Sequence, residues 1–320
     1  MSPNLSHASF LLVIVVIMSF VTCQVTPPPP KHNGESFMMQ KLYMEDVDRA
    51  IASWNPSRDK QNVWELSGLY EGDIMMPSSS GESERNAILD DTLRWHDGVV
   101  PYHISDDFDD DEKEVIMGAM DEFHQKSCIK FRPYEEGDDA YVVVRGNNPG
   151  CWSYVGRRGG GQVVNLRGRC VQHGVAVHEL LHAVGFHHQQ SAADRDEFVK
   201  IHWQNIVPRT RGNFRKYSPF KVTDFNVGYD YESVMHYSSH AFSKNGKKTI
   251  TPLDEGANIG QRFGMSDKDQ MKLNIMYKCD SSRNRYPSHS PSSSSSSYSS
   301  SSYPQLQSFW DSPFDFSYFK

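Results

Sequence analysis

Residues 178–188 read HELLHAVGFHH, placing three imidazoles and a carboxylate in one short stretch of chain. On a helix, His178 and His182 lie four residues apart and project from one face, one turn apart. Glu179 is rotated off that line, which suits a carboxylate that works on a water at a metal instead of binding the metal itself. Gly185 is free to adopt the positive φ that ends a helix, and His188 follows three residues later with a third nitrogen. Three neutral nitrogen donors favour zinc over calcium or magnesium, which take oxygen ligands. A fourth position left open distinguishes a catalytic zinc from a structural one, which closes with a further Cys or His. His187 and His173 fall outside this spacing and read as solvated or supporting histidines.

Further along, Ser233-Val234-Met235-His236-Tyr237 forms a second short motif. Together with HELLHAVGFHHQQSAADRD at 178–196, it closely resembles the astacin family of secreted zinc metalloendopeptidases, part of the metzincin clan, over residues 70–279. The resemblance implies an α+β, metzincin-like protease of two subdomains. A twisted, mostly parallel sheet with a backing helix and the zinc helix would form the upper one. An irregular lower subdomain would carry the Met-turn and a C-terminal helix. The resemblance also assigns roles: Met235 is an apolar floor beneath the metal, and Tyr237 reaches the resting zinc and swings aside to stabilise the oxyanion. The implied cofactor is one catalytic zinc ion, and the implied reaction is hydrolysis of protein or peptide substrates. Glu179 would take a proton from the attacking water and return it to the leaving amine. A competing reading is an inactive or weakly active secreted matrix-binding protein on the same scaffold; the intact Glu179 argues against it.

The chain ends are different in kind. Residues 10–21, FLLVIVVIMSFV, are long enough for a signal-peptide core and short of a membrane span, so residues 1–23 read as a signal peptide and the protein as secreted, with a type II membrane anchor as the lesser alternative. Removal of Cys23 leaves Cys128, Cys151, Cys170 and Cys279, an even set in an exported chain, for which three pairings are open. The resemblance selects Cys128 with Cys279 and Cys151 with Cys170. A net charge of -7 and a pI near 6.0 argue against a nucleic-acid partner or binding to an anionic membrane. Residues 281–320 change to Ser, Tyr and Pro and read as a disordered tail.

Residues 24–85 have little apolar periodicity beyond a helical stretch near 42–54 and read as a pro-segment. Within it Tyr70-Glu71-Gly72-Asp73-Ile74 resembles the astacin pro-segment motif, in which Asp73 would bind the zinc and keep the zymogen silent. Arg85-Asn86 precedes an apolar start, so the resemblance implies activation there by a trypsin-like protease and a catalytic domain at 86–280. In the family the new amino terminus is buried towards a glutamate directly after the third ligand. Here that position is Gln189, which can hydrogen-bond an ammonium group but offers it no opposite charge.

Within that domain, 99–104, 128–131 and 140–145 have strand composition, and 162–166 read as an edge strand that would pair with extended substrate. The aspartates of 106–111 should cap a helix whose apolar face is Val115, Ile116, Ala119, Met120 and Phe123. Residues 198–231 read as irregular, and 266–277 as a final helix with Met271, Leu273, Ile275 and Met276 as its apolar contacts.

Overall fold

Along β3 (Ala140–Arg145) buried residues alternate with half-buried ones, the period of two of a strand with one face on a core. The computed structural model describes residues 34–76, 91–218 and 223–279, with side chains from Tyr43 onward. The stretch read as a signal peptide, the Arg85-Asn86 junction and the Ser-rich tail lie outside the described residues. β1 (Val99–Ile104), β2 (Lys130–Pro133), β3 and β5 (Gly160–Leu166) run parallel, and β4 (Cys151–Ser153) is antiparallel to β5. The spatial order is β2-β1-β3-β5-β4.

Parallel neighbours need a crossover. Between β1 and β2 it is α2 (Asp110–Lys126), started by a capping box in which Asp109 and Glu112 exchange side-chain to backbone hydrogen bonds of 2.9 and 3.1 Å. Its buried residues, Ile116, Ala119, Met120 and Phe123, recur at helical spacing and join the main core beside α3 (His173–Ala183).

Two readings of the sheet need correction. Residues 162–166 belong to an interior strand, because the glycine-rich turn reverses the chain and leaves β4 hydrogen-bonded outside β5. The edge is therefore β4. Strand β2 begins at Lys130 instead of 128, since Cys128 is drawn into a disulfide with Cys279.

The lower subdomain has its own apolar cluster, including Val199, Ile206, Phe214, Tyr237 and Ile250. The stretch read as irregular contains β6 (Val199–Ile201), which pairs antiparallel with β7 (Ile250–Pro252). A three-residue strand is too short to show periodicity, and its partner lies far along the chain.

α4 (Asp267–Met276) buries Leu273 and Met276, whereas Met271 and Ile275 are 54% and 48% exposed. The inward face holds Asp269 and Lys272 instead. The Asp269 carboxylate accepts from the Ser233 hydroxyl at 2.6 Å and the Val234 N–H at 2.9 Å, pinning the turn that carries Met235.

The second disulfide joins Cys151 to Cys170, 19 residues apart, against 151 for Cys128 and Cys279. Cross-linking stabilises mainly by restricting the unfolded chain, so it should scale with loop length. Replacing the Cys128 and Cys279 pair by serines is expected to cost about 5 kcal/mol, and the Cys151 and Cys170 pair about 3 kcal/mol. Urea titration of each variant checks the order.

Candidate active site

Helix α3 is buried from Gly174 to Ala183, so its histidines leave water as the core forms. His178 and His182 present their rings 4.8 Å apart. Gly185, at φ +114°, takes the left-handed turn that a side chain would resist, and Phe186 follows so that its carbonyl accepts from His182 Nδ1 at 2.7 Å. His188 then enters from below, its ring 4.8 Å from His182 and 5.3 Å from His178. His178 Nδ1 donates to the Val234 carbonyl at 2.9 Å. Because a carbonyl only accepts, these two rings carry their proton on Nδ1 and turn an unprotonated Nε2 inward.

The three Nε2 atoms face one carboxylate, that of Asp73. Its oxygens lie 3.1 Å from His178, 3.5 Å from His182 and 3.3 Å from His188. All four residues are buried, with ligand atoms within 4.8 Å of one another. Burial alone would push the Asp73 carboxyl up. The His188 charge and the close approach of all three imidazoles outweigh it and hold the group well below the usual carboxylate range. The donor set fits a zinc ion: inward nitrogens on fixed rings, and His182 Nε2 and Asp73 Oδ1 buried without a hydrogen-bond partner among the described residues.

Both Glu179 oxygens are likewise buried and without a hydrogen-bond partner among the described residues. Burial, then the nearby Asp73 charge, pushes its carboxyl well above the ordinary value. Met235 is buried in the turn held by Asp269, its N–H donating to the Ser233 hydroxyl at 3.1 Å. Tyr237 packs with its ring centroid 4.8 Å from that of His188, and its hydroxyl donates to the Glu71 carbonyl at 2.6 Å. His173 lies at the surface, 2.6 Å from Glu122, and His187 packs on Tyr217; neither joins the metal cluster.

The N-terminal segment fills the cleft above these groups. Helix α1 (Gly34–Ser53) leads to Trp64, which stacks on His178 with ring centroids 4.3 Å apart. The chain then turns through Gly72, at φ +97°, where an added Cβ would stand 3.1 Å from Phe242 and 3.3 Å from the Glu65 backbone. Beyond Asp73 the segment adds to the free edge of β4. Ser153 N–H donates to Asp73 O at 3.0 Å and Met75 N–H to Ser153 O at 2.8 Å, a parallel pairing.

Glu65, Trp64 and Glu71 escaped sequence reading because nothing local marks them. Glu65 accepts from Ser238 N at 2.6 Å and Ser238 Oγ at 2.9 Å, directly after Tyr237. Glu71 was within the motif that pointed to Asp73, but its partners lie more than 100 residues away. Gln189 accepts from Lys272 Nζ at 2.6 Å, while Asn86 lies outside the described residues.

A sequence profile of the Astacin peptidase family matches residues 87–278. Zinc metalloproteinase nas-13 of Caenorhabditis elegans is 45% identical over 196 residues, covering 61% of this chain and 43% of that protein. Low choriolytic enzyme of Oryzias latipes is 39% identical over 289 residues, covering 86% of this chain and 99% of that protein. The chain spans 43% of the length of nas-13 and 53% of that of zinc metalloproteinase nas-15 of the same nematode. Among solved structures, High choriolytic enzyme 1, a hatching-enzyme zinc protease from the same fish, aligns with a TM-score of 0.55 at 36% identity. It covers 65% of this chain and 100% of that one. With a histidine cluster able to hold one metal ion on a mostly parallel sheet, the chain belongs to the astacin family of zinc metallopeptidases.

Proposed function

We propose that the protein is a secreted zinc endopeptidase made as a zymogen. Residues 1–23 would be removed on export, 24–85 would keep the enzyme latent, and 86–280 would form the catalytic domain, followed by the 281–320 tail. The observation that carries this reading is Asp73 seated against the inward nitrogens of His178, His182 and His188. A carboxylate there occupies the position that an attacking water and a substrate carbonyl need.

A zinc ion held by those three histidines would supply a Lewis acid that acidifies water and polarises the scissile carbonyl. The chain's own residues divide the remaining steps. Glu179 accepts the proton of the attacking water and passes it to the leaving amine, so one carboxylate serves as base and then acid. Tyr237, released from the Glu71 carbonyl, donates its hydroxyl to the developing oxyanion. The Ser153 N–H and C=O, released from the segment, pair with the substrate backbone. Activation follows cleavage between Arg85 and Asn86 by a trypsin-like protease. The test is hydrolysis of a general protein substrate before and after trypsin, with a zinc chelator as control. Activity that appears only after cleavage at Arg85 and disappears with the chelator supports the reading; a cleaved, zinc-loaded chain inactive on every peptide overturns it.

Glu65 adds a pH dependence to latency. Burial pushes its carboxyl from 4.5 up to about 7, although Ser238 and Asn62 hydrogen bonds partly oppose this. The docked segment thus binds this proton more tightly than the free segment. Its contribution to docking is complete below pH 4.5 and is lost as pH rises through about 7. The shift corresponds to about 3 kcal/mol, so inhibition of the processed domain by the separate segment should weaken about 100-fold between pH 4.5 and 8. Inhibition constants across that range check it.

A further inference from the structure

The outer nitrogens of the three ligands are not supported alike. His178 and His182 give Nδ1 to the Val234 and Phe186 carbonyls, permanent parts of the catalytic domain. His188 gives its Nδ1 to a carboxylate instead, Glu71 Oε2 at 2.9 Å, with both side chains fully buried. Glu71 is itself held at four points: Ser191 Oγ donates to its Oε1 at 3.2 Å, Tyr237 to its carbonyl at 2.6 Å, its N–H donates to Asn213 Oδ1 at 3.2 Å, and the remaining carboxylate contact is His188. Its backbone sits at φ +49°, a left-handed conformation that a glutamate rarely adopts and that those contacts sustain.

We propose that Glu71 is a second latency carboxylate, a positioning residue that supports the third ligand from behind only while the pro-segment is attached. The inference rests on the zinc-protease reading above. Asp73 faces the inner nitrogens and Glu71 the outer one of His188, so the segment brings two negative charges to a buried site whose three ligands would be neutral imidazoles when holding a zinc ion. Two carboxylates match one divalent cation, and a buried charge without such balance is costly. A carboxylate on the outer nitrogen also fixes ring orientation and raises the basicity of the ligating nitrogen. Cleavage and departure of the segment remove both effects together. The latent chain therefore holds its metal more tightly than the processed one, and the same residue that fastens His188 also holds the Tyr237 hydroxyl away from substrate.

The test uses the full, uncleaved chain, with zinc affinity measured by competition against a chromogenic chelator. Glu71→Gln keeps a hydrogen-bond acceptor but removes the charge. It is expected to weaken zinc binding about 10- to 100-fold and to shift the visible spectrum of the cobalt-loaded chain, which reads the ligand field and not the packing. Asn213→Ala releases the same stretch of backbone without touching the carboxylate, and is expected to change neither. Unchanged zinc affinity in Glu71→Gln, or equal losses in both variants, overturns the proposal. If Glu71→Gln does not fold, Ser191→Ala decides: weaker zinc binding supports the proposal and unchanged binding overturns it. A wild-type chain that binds no zinc at all instead overturns the underlying reading.

Discussion

Replacing Glu179 by Gln in the processed chain is expected to lower peptide hydrolysis by about 10²- to 10⁴-fold, with zinc content unchanged. The side chain is buried, and neither carboxylate oxygen has a hydrogen-bond partner among the described residues, so an amide of the same shape disturbs no contact. It does remove the group that accepts the proton of water. Glu179 also lies outside the cluster of metal-ligating atoms, which is why metal content should not follow activity. Burial and the Asp73 charge both oppose ionisation of Glu179, so the neutral amide should leave the latent chain at least as stable as wild type. The checks are kcat/KM on a peptide, zinc per chain and thermal unfolding, all on one preparation. A variant that keeps more than about a tenth of the activity would place the base elsewhere.

Replacing Asp73 by Ala should break latency without cleavage. In a chain made uncleavable by Arg85→Ala, the variant is expected to hydrolyse a small peptide about 10²- to 10⁴-fold faster than the Asp73 parent. The magnitude follows from the roughly 3–5 kcal/mol that removing one partner of a buried charged pair costs, here taken from the docked state alone. Asp73 is the only carboxylate set against all three inner nitrogens among the described residues, whereas Trp64, Glu65 and Glu71 hold the segment from its flanks. The segment should therefore open more often without becoming detached. A small peptide is the right reporter because it enters during brief openings, and a large protein substrate should gain less. An Asp73→Ala chain as silent as its parent, beside an active processed enzyme, would shift latency onto those flanking contacts.

The two predictions draw on information of different range. The histidine spacing, the placing of Glu179 off the line of the ligands and the helix ends at Asp109 and Ser266 are legible from short stretches. Helix geometry converts a spacing of three or four residues directly into a shared face. Asp73 was legible only through its resemblance to a known motif, since an aspartate in a turn carries no local sign of a partner 105 residues away.

Where a reading failed, the deciding contact was distant. Residues 162–166 have the composition of a strand in either place, and only the packing of β4 outside β5 makes β4 the edge. Met271 and Ile275 are apolar, yet α4 turns them outward because its inner face must present Asp269 to the Met-turn.

By itself the sequence determined the chemistry available: three imidazoles at ligand spacing, a carboxylate set off their line and four cysteines between residues 128 and 279, because each follows from residue type and short spacing. The tertiary structure alone decided how that chemistry is restrained. Glu71 behind His188, Glu65 on Ser238 and the segment along β4 are contacts between groups 79 to 173 residues apart. Such contacts exist only after burial has brought two subdomains and the segment before residue 77 together, and no local propensity encodes them.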